Sequence, residues 1–125
     1  MKIVILAFAF CLFMSNAFTQ IETSQKNPVI KVPDFADAGV KSFYQSYADH
    51  LIKCIKAIRA KDEAATKALF KNPGEHLVAR EKILSKEVVK NASEKQKYMQ
   101  LATQAYPYLK EVEQSEYYKK MYDKK

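Results

Sequence analysis

The sequence predicts an all-α domain, an antiparallel up-down-up three-helix bundle with a kinked middle helix. Three observations lead there. Two Gly and four Pro in 125 residues supply too few turns for a sandwich or barrel, whose short strands need a turn every few residues. Apolar residues recur at alternating steps of three and four along three long stretches, the period of one helix face. Each stretch opens on a side chain that caps helices well.

The N-terminus stands apart from these stretches. Lys2 is followed by an apolar run of twelve residues, Ile3 to Met14, and then by Ser15-Asn16-Ala17. A charged n-region, a short apolar h-region and small residues before a cleavage point are the pattern of a secretory signal peptide. The run is too short to span a bilayer, which takes about 20 apolar residues. Cys11 follows Phe10 inside the h-region, so it is not placed as a lipid-acceptor cysteine. Residues 1–17 are therefore expected to be a signal peptide, with export to the periplasm or medium after cleavage near Ala17. Cleavage lowers the formal net charge of +7 by one and leaves Cys54 alone. No intramolecular disulfide is then expected, although an exported protein meets an oxidising compartment. Residues 18–33, polar and holding Pro28 and Pro33, read as an extended or disordered leader that is ordered only by docking on the body.

The helical domain is expected over 34–125. Its first helix starts near Asp34, read as the N-cap, with Asp37 in the first turn. Val40, Phe43, Tyr44, Tyr47, Leu51, Cys54, Ile55 and Ile58 share one face, and Ile52 falls on the polar side. Asp62 caps the next helix, which carries Ala65, Leu69, Phe70, Leu77, Ile83, Leu84 and Val88. Asn72-Pro73-Gly74 interrupts it, because Pro lacks a donor and clashes with the preceding turn. Phe70, Leu77 and Leu84 keep a spacing of seven across the interruption, which favours a kink over a turn. Asn91 with Glu94 and Ser93 with Gln96 both fit a capping box at the start of the third helix. That helix is expected to bury Tyr98, Leu101, Ala102, Ala105, Tyr108, Leu109 and Val112, with Pro107 on its opposite side. Helices of roughly 26 to 32 residues, about 40 to 50 Å long, joined by short connections must run antiparallel to their neighbours.

No catalytic signature is present: no Gly-rich phosphate loop, no Gly-x-Ser-x-Gly turn and no His-Glu-x-x-His. Glu111 and Glu113 lie two apart and diverge on a helix, so they read as solvated surface rather than paired acid and base. His50 and Cys54, four apart, form half of a metal site. A cysteine on an apolar face is ordinarily a small core residue, and no second pair completes the set. Noncovalent haem held by a His and a Met would draw on His50, His76, Met99 or Met121. Arg80 lies within the breadth of the second stripe, where an arginine snorkels its head to water.

The C-terminal end is the most informative feature for binding. Tyr117, Tyr118, Met121 and Tyr122 form i, i+4 pairs directed away from the earlier core face, beside Lys119 and Lys120. A basic, tyrosine-rich helix end suits a membrane interface or an anionic partner. The alternative is that the helix re-phases at Pro107 and these aromatics close the end of the bundle. On the first helix Lys41, Lys53, Lys56, Arg59 and Lys61 face only Asp49. Nucleic-acid binding asks for more charge and interleaved exposed aromatics, so a solvated face is expected there and no nucleic-acid partner.

The signal ending in Ser15-Asn16-Ala17-Phe18-Thr19-Gln20, the stretch Ile55-Lys56-Ala57-Ile58-Arg59-Ala60-Lys61-Asp62 and the capped third helix together make the chain resemble small exported helical proteins of Gram-negative bacteria that have no assigned function. The likeness covers most of the chain after residue 17. It is compositional and topological, and it transfers no functional residue; Asn72-Pro73-Gly74 departs from it. The expectation is an exported, non-enzymatic interaction module with an unidentified protein partner and no cofactor. Two alternatives stand beside it: a peripheral binder of anionic lipid or polysaccharide acting through residues 117–122, and a metal or haem carrier of the helical-bundle type. Surplus apolar residues such as Ile52, Val78 and Val89 would also allow a homodimer.

Overall fold

The computed structural model describes residues 27–122. The expected signal peptide and the first part of the leader lie outside them. Every regular element among the described residues is helical, and no strand is present. In chain order these are α1 (Ala38–Arg59), α2 (Glu63–Leu69), a single wide turn at Phe70–Gly74, α3 (Glu75–Val88), α4 (Ala92–Glu113) and α5 (Glu116–Tyr122). α1 packs on α2 and α4, α3 packs on α4, and α5 closes against α2 and α4. No helix among the described residues is long and apolar enough to cross a membrane.

Helix α1 begins three residues later than the sequence suggests. Asp37, not Asp34, is the N-cap, and its Oδ1 accepts the Gly39 and Val40 amides at 2.7 and 3.1 Å. Asp34 instead pairs with Lys41 at 3.0 Å. The cause is Phe35, buried beneath the cap and stacked on Tyr44 with ring centres 5.4 Å apart. The helix ends in a Schellman turn. The Lys61 amide donates to Ile58, the Asp62 amide donates to Ala57, and Lys61 sits at φ 60°. Asp62 and Asn91 cap α2 and α4 as expected. Glu94 does not reach back to close its box: its carboxylate accepts the Ala36 amide at 3.0 Å and pairs with Lys97 at 3.1 Å.

The leader is ordered from residue 27 because it docks. Pro28, Ile30 and Phe35 are buried. Gln104 on α4 meets the backbone of Lys31 twice, accepting its amide and donating to its carbonyl at 2.7 Å each.

The middle of the chain is divided further than one kinked helix. Asn72 has extended backbone (φ −142°, ψ 115°) and precedes a cis bond to Pro73. Extended backbone at Asn72 leaves the helical path and Pro73 has no N–H to continue the ladder, so the helix stops there and α3 starts afresh. Gly74 makes the close approach possible. A Cβ there would lie 2.6 Å from the Leu69 carbonyl oxygen and 3.3 Å from His50 Nε2.

Helix α4 buries every residue expected of it, and Pro107 as well, which is buried rather than on the opposite side. Arg59 at the end of α1 grips Glu111 of α4 in a fork, with Nε and Nη2 each 2.8 Å from a carboxylate oxygen. Glu111 is thus a partly buried tie between two helices rather than free surface.

Candidate functional site

The geometry that sets this chain apart is the rotation of α3. Its buried face is Leu77, Val78, Glu81, Ser85 and Val88, so a carboxyl and a hydroxyl share the inward face, while Leu84 stays half-buried at its edge and Ile83 is excluded from it. Two residues advance a helix by about 200°, so burying Glu81 turns Ile83 outward. Glu81 is 2% exposed and Ile83 71% exposed.

Tyrosines from two other helices explain why Glu81 is tolerated inside. Tyr98 of α4 and Tyr44 of α1 both donate their hydroxyls to Glu81 Oε2, at 2.5 and 3.3 Å. A buried polar group without partners would be strongly destabilising. Burial pushes the Glu81 carboxyl up to about 7, against the opposing pull of the Tyr98 and Tyr44 hydrogen bonds. Burial, with the neighbouring carboxylate, also pushes both tyrosine hydroxyls up. The network therefore joins α1, α3 and α4 through one carboxyl. It is sealed from solvent and offers no path for a substrate.

The outward face is open instead. His76, Ala79, Arg80, Ile83, Leu84 and Glu87 line a shallow depression of about 470 Å³. Arg80 does reach out from the edge of the stripe as expected, with its guanidinium carbon 5.5 Å from the centre of the Phe43 ring. That is a cation–π distance, which fixes the head beside the depression. Lys82 and Lys86 are exposed on the same helix, and Lys90 just beyond it lies 3.4 Å from Glu87.

The C-terminal residues separate into two groups. The chain re-phases at Ser115 rather than at Pro107. Ser115 Oγ donates to the Val112 carbonyl at 2.7 Å and accepts the Tyr118 amide at 3.2 Å, which starts α5 in a new direction. Tyr118 is buried and meets Phe70 edge-on at 6.1 Å, and Tyr122 packs on both. The Tyr122 hydroxyl donates to Glu75 at 2.9 Å, and burial together with that carboxylate raises its pKa. Tyr118 and Tyr122 thus cover the break at Phe70–Gly74. Tyr117 and Met121 are half-buried against the core, while Lys119 and Lys120 are exposed, Lys120 lying 3.9 Å from Glu63.

His50 and Cys54 do meet, with Nε2 and Sγ 3.5 Å apart. They line a cavity of about 20 Å³ shared with Phe70, Gly74, Leu77 and Tyr118. That is room for a single water molecule and admits no porphyrin. Burial pushes the Cys54 thiol up to about 12, and burial with the Lys53 charge holds His50 below its ordinary 6.5. Among the described residues no three His, Cys, Asp or Glu side chains converge to complete a metal site. His76, on the outer face of α3, does not approach the pair, and Met99 and Met121 lie half-buried elsewhere in the packing.

No family model, curated protein or solved structure matches this chain. Two structural ties escaped the sequence reading: the Glu81–Tyr44–Tyr98 network and the Arg59–Glu111 fork. One signal for the first was present. Glu81 and Ser85 sit four apart and in phase with Leu77, Val78 and Val88, which a stripe read from apolar residues alone passes over.

Proposed function

We propose that this chain is an exported, non-enzymatic helical module that works by binding a partner through the outer face of α3. The observation that carries the reading is Ile83. A large apolar side chain stands at the centre of a helix face while a carboxyl takes the inward place, and the depression around it holds both apolar and charged groups. Ligand-binding and partner-binding surfaces combine these groups in this way. The frame is read as three antiparallel legs, α1, α2 with α3, and α4, running up, down and up. Export rests on the pattern of residues 1–17, and the likeness to small exported helical proteins goes with it.

The test is photo-crosslinking in cells that make the protein. A photoreactive residue at Ala79, on the face of Ile83, is expected to give a discrete adduct that is lost with Ile83→Asp. The same label at Lys53, on the solvent side of α1, is expected to give none. Identical diffuse adducts at both positions, or none at Ala79, would sink the reading.

The exposed Lys119 and Lys120 support a second reading, a peripheral binder of anionic envelope surfaces. With Tyr118 and Tyr122 turned inward, that binding would be electrostatic and would fade with salt. Charge reversal of both lysines leaves the packing of Tyr118 intact. It should release the protein from vesicles containing phosphatidylglycerol, and unchanged sedimentation rules the reading out.

A further inference from the structure

Ile83 does not stand alone on its face. Counting about 100° per residue, Arg80 and Lys86 lie about 60° to either side of it, one turn before and one turn after. Ala79 lies between Ile83 and Lys86 in angle, and its small side chain leaves the depression open beside Ile83. Lys82, Lys86 and Lys90 add to Arg80 on the exposed side, and Glu87 is the one exposed carboxylate between positions 76 and 90. Glu87 is already engaged with Lys90. The depression thus has a small apolar centre, with Arg80 on its wall, Lys86 exposed just beyond it, and Glu87 on the wall paired to Lys90.

Three occupants are conceivable, and the charges separate them. A second copy of this chain would bring Arg80 and Lys86 against their own kind, and like charges across an interface oppose association. A bilayer presents a flat surface and would meet one isoleucine at the edge of a concave depression, too little apolar area for insertion. A helix fits, because it fills a depression along another helix with side chains at steps of three and four.

From this we infer that the outer face of α3 docks an acidic amphipathic helix of a partner protein, a leucine or isoleucine of that helix packing on Ala79 and Ile83 while its flanking carboxylates pair with Arg80 and Lys86. The inference rests on the binding-module reading and supplies its partner class. Arginine pairs carboxylates through a planar fork, and Arg80 is held in place by the Phe43 ring. Lys86 supplies a compact charge at the other end.

The experiment uses the purified protein and two synthetic helical peptides. Both carry a leucine stripe, flanked in one by glutamates and in the other by lysines. Fluorescence anisotropy should show the acidic peptide binding at least about tenfold more tightly than the basic one, with the difference shrinking in high salt. Ile83→Asp, at an exposed position where folding is undisturbed, should weaken the acidic peptide about tenfold. The paired substitution Arg80→Glu with Lys86→Glu should reverse the preference so that the basic peptide binds better. Equal binding of the two peptides, or acidic binding insensitive to both variants, overturns the inference. So does Ile83-dependent binding to phosphatidylglycerol vesicles without peptide binding, or Ile83-dependent dimerisation in sedimentation equilibrium. An Ile83-dependent adduct at Ala79 in cells, together with no acidic-peptide binding, overturns the partner class and leaves the module standing. No adduct at Ala79 removes the module and the inference together.

Discussion

Helices α3 and α4 pack against one another and help to build the same core, yet they meet it in different ways. α4 presents a continuous apolar stripe from Tyr98 to Val112 and buries all of it. α3 presents Leu77, Val78 and Val88 with Glu81 and Ser85 among them, and leaves Ile83 in water. The inward face of α4 is set mainly by apolar burial, which is non-directional. The inward face of α3 is set jointly by apolar burial and by two directed hydrogen bonds from Tyr44 and Tyr98. The directed bonds decide which of two neighbouring rotations of the helix wins. The consequence is that the apolar residue displaced from the core becomes the centre of an exposed face.

The largest effect expected from this contrast lies on α4. Leu101 is 2% exposed and is held by apolar packing, with no hydrogen bond of its side chain to compensate for a loss. Leu101→Ala removes buried methyl groups and leaves a cavity, so it should destabilise the protein by about 4 kcal/mol. Urea denaturation should show the midpoint falling with an unchanged slope. A loss below about 1 kcal/mol would mean that α4 is not packed as described.

The contrast also explains what was legible in the sequence. The all-helical class, the caps at Asp62 and Asn91 and the buried residues of α1 and α4 follow from apolar period and capping chemistry, which are local. The rotation of α3 is not local. Glu81 is stabilised inside only because Tyr44, 37 positions away, and Tyr98, 17 positions away, arrive at the same oxygen. In the same way Asp34 has the chemistry of a cap, and Asp37 takes the role because Phe35 is pulled into the core. The tyrosine-lysine end allows two readings from sequence, an exposed cluster or aromatics that close the bundle, and the cap at Ser115 decides between them. That cap sends Tyr118 to Phe70 and leaves Lys119 and Lys120 outside. The outer face of α3, now the candidate site, was hidden for the same reason, since Ile83 counts as core in any reading that scores apolar residues by period.

The second prediction tests the polar side of the contrast by pH. The folded chain holds the Glu81 carboxyl at about 7, against 4.5 for the free side chain. The folded state therefore keeps a proton that the unfolded state releases. Stability from this group is complete below pH 4.5, falls as pH rises through 7, and is level above that. The loss is on the order of 3 kcal/mol between pH 4 and 8. His50, held below its ordinary 6.5 by burial and by Lys53, works the other way. Its contribution is present above 6.5 and falls as the pH drops through its lowered folded pKa. The measurement is thus the difference between the protein and Glu81→Gln, whose amide oxygen still accepts from both tyrosines. The variant should be the more stable of the two at pH 8 and should lose that advantage at pH 4. A difference that stays constant with pH would refute the network as described.

A third prediction concerns the start of α3, which fixes where the rotated helix begins. Gly74→Ala places a methyl 2.6 Å from the Leu69 carbonyl oxygen, a backbone atom that cannot swing aside. The expected loss is about 2 kcal/mol, even though alanine is intrinsically the better helix former. Thermal denaturation followed by circular dichroism reads it directly. A stabilised variant would show that the approach of Leu69 to Gly74 is looser than described.

The smallest expected effect is the most telling for the function proposed. Isoleucine to alanine in a core removes about 2–5 kcal/mol. At position 83, on the solvent side of α3, the same change should alter stability by no more than about 0.5 kcal/mol, with alanine's higher helix propensity acting in its favour. Binding of the acidic peptide should fall in the same variant, because the side chain that is idle in folding is the one proposed to meet the partner. Stability and binding thus separate at Ile83, whereas at Leu101 they must fall together through loss of the fold. A loss of stability above about 2 kcal/mol for Ile83→Ala would place the residue in an intramolecular contact. α3 would then have no free apolar centre, and the binding face would have to be sought elsewhere on the molecule.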